Sequence, residues 1–190
     1  EKKTIVLDIG NKVKIYKISK LPLVWIMSLD SFVEQMDSIK QSGSSVVSIR
    51  DHLMGRNEEK YKLIDAQSFE RIFVATFDDL ETNTEKRNMP TSFPKENDIH
   101  EILAWAKMVW EDSGKNFVIH CTAGISRSSA MAILISQMIE GSYEGVIDPN
   151  IHSPNYRVLE YGETYLGTDH VQNDVRNTIT EFDKKVSEDD

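Results

Sequence analysis

Cysteine is almost absent from this chain: Cys121 is the single one among 190 residues. An internal disulfide is therefore excluded and a cysteine-ligated zinc site disfavoured, which points to a reducing, cytoplasmic setting. With no second thiol available, oxidation of Cys121 would end in a sulfenic acid, a backbone sulfenamide or a mixed disulfide. Long apolar runs are missing as well. No stretch is long enough to span a bilayer, and the N-terminus shows no signal-peptide pattern, so no membrane contact is expected. Positive charge is in deficit: 22 Lys and Arg against 31 Asp and Glu leave a formal charge of −9 and a pI near 5.1. A surface of that sign disfavours nucleic acid and anionic lipid, so attraction to a phosphorylated ligand has to come from local donors. Repeats and low-complexity segments are absent too. What remains, 39% apolar residues over this length, suits one globular domain with a sizeable core.

Along the chain the hydrophobic pattern alternates as an α/β layer fold requires. Thr4–Ile9 and Val13–Tyr16, on either side of Gly10-Asn11, read as a hairpin, and Leu23–Ile26 as a third strand. Phe32, Val33, Met36 and Ile39 follow helical spacing between Asp30 and Gln41, with Gly43 as the stop; Ser45–Ile49 then reads as a buried strand. Arg71–Phe77 is the next strand, followed by Asp78-Asp79 and a polar loop through Glu96 that contains Pro90 and Pro94. Asp98 with Glu101 makes a capping box for a helix whose apolar face is Ile99, Ile102, Leu103, Ala106, Val109 and Trp110, and which Gly114 ends. Trp25, Trp105 and Trp110 are read as core or interface residues rather than ligand stackers. The expected architecture is α/β, with a single central, mostly parallel sheet flanked by helices.

The richest stretch runs from His120 to Ser128. Phe117–Ile119 reads as a short buried strand and Ser128–Ile135 as the start of a buried helix, so the residues between them have to turn sharply. In such a strand–loop–helix the backbone N–H groups of Thr122, Ala123, Gly124, Ile125 and Ser126 converge with the positive end of the helix where a dianionic phosphoryl group would sit. Cys121 lies at the base of that cradle. A helix N-terminus and a neighbouring cation lower a cysteine pKa from about 8.5 into the range of roughly 3.5–7.5, which makes the thiolate a competent nucleophile. Arg127, six residues on, supplies the planar fork that grips two phosphoryl oxygens at once. Gly124 lends the turn its dihedral freedom. Ser128 can donate its hydroxyl proton to the sulfur when sulfur becomes the leaving group.

The pattern His120-Cys121-x5-Arg127-Ser128 resembles the signature of the cysteine-based protein tyrosine phosphatases, and Ala123-Gly124-Ile125-Ser126-Arg127-Ser128 is most similar to their dual-specificity branch. The resemblance covers roughly residues 45–167 and implies a protein tyrosine phosphatase-like fold in a single domain, 1–190. Residues 1–44 carry no recognised motif, 45–167 form the catalytic core, and 168–190 a polar C-terminal segment that continues as a helix or frays. It also implies a structural and electrostatic role for His120, which orders the loop without moving protons.

Transfer of a phosphoryl group to sulfur needs a proton for the departing oxygen, hence a carboxylic acid facing the cradle. In the resembling family that acid follows the strand that precedes the pre-signature helix, which selects Asp79 first and its neighbour Asp78 second. Asp98 competes, although helix capping accounts for it. Asp79 stands 42 positions before Cys121, farther than is usual in the family, which implies a longer intervening loop. Ser153-Pro154-Asn155 resembles the Pro-Asn segment whose asparagine braces the phosphate loop, a role that would fall on Asn155; Pro-Asn is equally an ordinary turn and helix-start signal, here for a helix carrying Val158, Leu159, Tyr161, Tyr165 and Leu166 and ending at Gly167. The expected activity is phosphomonoester hydrolysis through a cysteinyl-phosphate, without metal or cofactor. The expected partner is a phosphorylated protein bearing phosphotyrosine, with phosphoserine or phosphothreonine as further substrates. RNA 5′-phosphatase, phosphoinositide phosphatase, phosphate-binding scaffold and sulfurtransferase activities stay open as alternatives, and the oligomeric state is not legible.

Overall fold

A computed structural model of the chain describes residues 3–9, 12–18, 22–81 and 91–188. Its centre is a four-stranded, wholly parallel sheet in the order β3-β6-β4-β5, built from β3 (Val24–Met27), β6 (Phe117–His120), β4 (Ser45–Arg50) and β5 (Ile72–Thr76). The N-terminal β1 (Lys3–Ile9) and β2 (Lys12–Ile18) pair antiparallel as a separate two-stranded sheet, so the hairpin forms without joining the central one. The Gly10-Asn11 turn and Pro90 lie outside the described residues.

Parallel sheets are covered on both faces, and the burial of every residue of β4 follows from that. Strand alternation sorts the side chains. Val47, Ile49, Phe117 and Ile119 point to a large apolar layer shared with α4 (Glu96–Ser113), α5 (Arg127–Glu140) and α6 (Tyr156–Leu166). Val46 and Val118 point the other way, to a smaller cluster with Leu29 and Phe32 of α1 (Leu29–Glu34), Ile39 of α2 (Met36–Ser42), and Tyr61 and Ile64 of α3 (Glu58–Asp65). Burying a side chain such as Phe32, which is wholly inaccessible, contributes roughly 1.5–3 kcal/mol.

Several expectations need correction. The helix read across Asp30–Gln41 is two helices, divided at Gln35. α3 was not foreseen; it is short and its first turn is acidic, so little apolar periodicity announces it. The cap of α4 is Lys95, and Asp98 is the third helical residue, reaching back to accept the Lys95 N–H at 3.0 Å. Glu101 instead accepts from the Asn97 side chain at 2.7 Å. The three tryptophans are half-buried against the two cores, and Tyr165 is largely exposed, its ring against that of His100. The C-terminal segment is helical as α7 (Val171–Glu188), held by the buried Val171 and Val175. No helix among the described residues is long and apolar enough to cross a membrane.

Helix α5 is buried along its first ten residues, from Arg127 to Ser136. α6 crosses it closely at Gly162, where an added Cβ would come within 2.2 Å of Leu134 Cδ1. That contact brings Asn155, the N-cap of α6, to the loop that opens α5.

Candidate active site

The segment 121–126 turns from β6 into α5 as the sequence pattern requires. Its outward carbonyls are each tied to a neighbour: Thr122 O accepts the Leu29 N–H at 3.1 Å, Ile125 O the Ser153 N–H at 3.2 Å, and Ser126 O the Asn155 N–H at 3.2 Å. Peptide planarity then turns the N–H groups of Ala123, Ser126 and Arg127 away from those neighbours. Gly124 has a φ of +73°, and a Cβ there would stand 2.6 Å from the Ser28 nitrogen, so the end of β3 admits only glycine at this point.

Cys121 is buried, and its Sγ lies 3.1 Å from Ser128 Oγ. Arg127 is buried as well. Its Nη1 donates to Phe77 O at 2.7 Å, and its Nη2 lies 2.8 Å from Asp51 Oδ1 and 3.3 Å from Thr122 Oγ1. Nε has no partner. Burial alone would lower the guanidinium pKa, but the facing charges of Cys121, Asp51 and Asp79 raise it, so the cation is secure.

Asp78 and Asp79, adjacent in sequence, do different things. Asp78 accepts two backbone N–H groups, His52 at 2.9 Å and Ser92 at 2.7 Å, while its own N–H donates to Ser92 O. It clasps two loops together. Asp79 turns to the loop 121–126, its Oδ1 accepting from Ser126 Oγ at 2.6 Å and Asn155 Nδ2 at 2.8 Å. Asn155 also accepts the Val158 N–H at 3.0 Å as N-cap of α6, so one side chain joins the helix start, the acid and the loop. Cys121, Thr122, Ser126, Arg127, Ser128, Asp79 and Asn155 thus meet at one place, Asp78 stands one step back, and Asp98 belongs to α4.

Beneath the loop His120 is fully buried, 4.5 Å from the Phe32 ring centroid. The pairing of Ser48 with His120 between β4 and β6 puts both on one sheet face. Cys121 O, 3.4 Å from His120 Nδ1, can only accept, so the proton of the neutral ring belongs on Nδ1 and Ser48 Oγ, which accepts Arg50 Nε at 3.1 Å, donates to Nε2 2.7 Å away. Burial, with the nearby Arg50 and Arg127 charges, lowers the His120 pKa to about 4 against the Cys121 carbonyl's pull, leaving the ring neutral. Arg50 is anchored in turn by Asp65, Nη1 to Oδ2 at 3.0 Å and Nη2 to Oδ1 at 2.6 Å, and lies over the Tyr61 ring.

Three residues that reasoning from sequence missed complete the surroundings: Asp51, Arg50 and Tyr61. Asp51 follows β4 directly, and the end of a parallel strand beside the signature strand was the available signal. Burial pushes the Tyr61 phenol above its ordinary range, against the opposing pull of the Thr122 side chain and the Asp51 backbone beside its hydroxyl. Among the described residues no cluster of metal-ligating side chains converges.

No protein-family model and no curated protein matches the sequence. Solved structures do match. Human tyrosine phosphatase-like serine/threonine/tyrosine-interacting protein superposes with a TM-score of 0.55 at 16% identity, over 77% of this chain and 93% of its own. A mouse putative dual specificity phosphatase, complexed with zinc tungstate, gives 0.52 at 12% identity, over 80% and 87%. Human DUSP28 gives 0.50 at 11%, over 76% and 88%. The chain has the fold of the dual-specificity phosphatases.

Proposed function

We propose that this chain is a phosphomonoester hydrolase that works through a cysteinyl-phosphate, with phosphorylated protein, phosphotyrosine first, as its substrate. The observation that carries the reading is the convergence of Cys121, Arg127 and Ser128 around one loop with Asp79 bonded to its rim. In the first step the Cys121 thiolate attacks phosphorus and forms the S–P bond as the ester P–O bond breaks; Asp79 gives its proton to the departing oxygen. Both hydrogen bonds to Asp79 fall on Oδ1, which leaves Oδ2, among the described residues, to carry that proton. Arg127 Nε and the loop amides hold the equatorial oxygens as charge develops. In the second step water attacks phosphorus, the S–P bond breaks, Asp79 takes the water proton, and Ser128 donates its hydroxyl hydrogen bond to the departing sulfur.

The substrate class follows from charge. The loop interior, Thr122 to Ser126, holds no lysine, and Asp51 and Asp79 stand at the cradle. A polyanionic phosphoinositide headgroup would meet carboxylates there, whereas a single phosphoryl group on an aromatic ring needs only the loop and Arg127. The test is hydrolysis of an aryl phosphate and of a phosphopeptide and phosphoinositide panel by the full chain and by Cys121→Ser. The serine variant should lose about four orders of magnitude in turnover while still binding substrate. Appreciable turnover by that variant would exclude the cysteinyl-phosphate.

A further inference from the structure

Asp51 holds donors that an incoming phosphoryl group would use. Its Oδ1 lies 2.8 Å from Arg127 Nη2, and its Oδ2 accepts the Thr122 hydroxyl at 2.6 Å. A carboxylate bridging a guanidinium and a hydroxyl makes the same demand on them as two phosphoryl oxygens. A donor left over points to a second occupant: Arg127 Nε is buried without a partner. Within the ion pair the Arg127 side chain is 4% exposed and that of Asp51 26%. Asp51 is therefore the member with a path to solvent, and the guanidinium is fixed from behind by Phe77 O.

We infer that Asp51 is the resting counter-ion of the cradle, a positioning residue that competes with the phosphoryl group for Arg127 Nη2 and Thr122 and so keeps inorganic phosphate, the product, loosely held. The inference rests on reading 121–127 as a phosphate cradle. A buried cation needs compensation, and a carboxylate supplies it whenever no phosphoryl dianion is bound. Once phosphate is bound, the same carboxylate is a negative charge close to a doubly negative ligand, or must move to solvent and leave its two bonds; either way the affinity falls.

The test is phosphate binding by the full chain near pH 8, where the dianion dominates, read by calorimetry and by inhibition of aryl phosphate turnover. Asp51→Asn should bind inorganic phosphate about tenfold or more tightly than the parent. Asp51→Ala provides a second variant if the amide repacks, and thermal melting confirms that each is folded. A role confined to bracing Arg127 predicts the opposite, weaker phosphate binding. Affinity that is weaker, within twofold of the parent, or undetectable in all the proteins overturns the inference. Aryl phosphate turnover by the parent, measured separately, decides whether the cradle reading falls with it.

Discussion

The two faces of the central sheet carry different kinds of side chain. Toward α4, α5 and α6 the strands present Val47, Ile49, Phe117 and Ile119, an apolar layer that closes over the start of α5. Toward α1 and α3 the same strands add Ser48, Arg50 and His120, a buried polar chain that ends on Asp65. The first face resists change in proportion to volume. The second depends on partners, because each buried donor or acceptor left alone carries its full desolvation cost. One sheet therefore stabilises the fold on one side and supports the loop 121–126 from the other.

The largest expected effect breaks the apolar face. Leu103→Ala, in the core of α4, should lower stability by about 2–5 kcal/mol. Urea unfolding measures the loss, and turnover per folded molecule should stay near that of the parent. An equal loss of turnover would mean that the two faces are not separable.

The next prediction concerns the polar face and pH. His120 is neutral in the fold with a pKa lowered to about 4, below its ordinary 6.5. Between those values the unfolded chain binds a proton that the folded chain refuses, so stability falls as pH drops from about 6.5 to about 4 and this contribution levels off below; the loss is about 3 kcal/mol. Urea midpoints across that window should slope for the parent and flatten for His120→Asn. Asp65, lowered by Arg50, acts separately: its contribution is present above the ordinary carboxylate range and disappears as pH falls through the lowered value.

The adjacent aspartates repeat the contrast between the faces on a smaller scale. Asp79→Asn should slow phosphotyrosine hydrolysis by about two orders of magnitude, with a smaller effect on an activated aryl phosphate whose leaving group needs no proton. Asp78→Asn should act mainly on loop order and stability, because its carboxylate serves backbone N–H groups. Reversed outcomes would move the acid to Asp78. The smallest effect is expected for Ser48→Ala, about 1–3 kcal/mol from stranding His120 Nε2 and Arg50 Nε. Its diagnostic readout is nitrogen NMR of His120, in which the Nε2 resonance should lose the shift of an accepted hydrogen bond.

The amino-acid sequence by itself determined the local features. The apolar run before Cys121 and the one after Arg127 read as a short strand and a buried helix joined by a tight turn, and both are buried. Ile99, Ile102, Leu103, Ala106 and Val109 share one face of α4 by periodicity alone, and all are buried. Tertiary structure decided what depends on distant pairing. α3 is short and polar on one side, so only its packing of Tyr61 and Ile64 beneath the sheet makes it stable. The break at Gln35 lies in a segment without proline or glycine, and helical spacing continues across it. Asp78 and Asp79 have the same chemistry one position apart; the direction in which the chain leaves β5 gives one to the loops and the other to Ser126 and Asn155. Asp51, 76 positions from Arg127 in the chain, reaches it because β4 and β6 are parallel neighbours whose ends open on the same side. Periodicity reads what lies within one element, whereas ion pairs between elements come from the order of strands in the sheet.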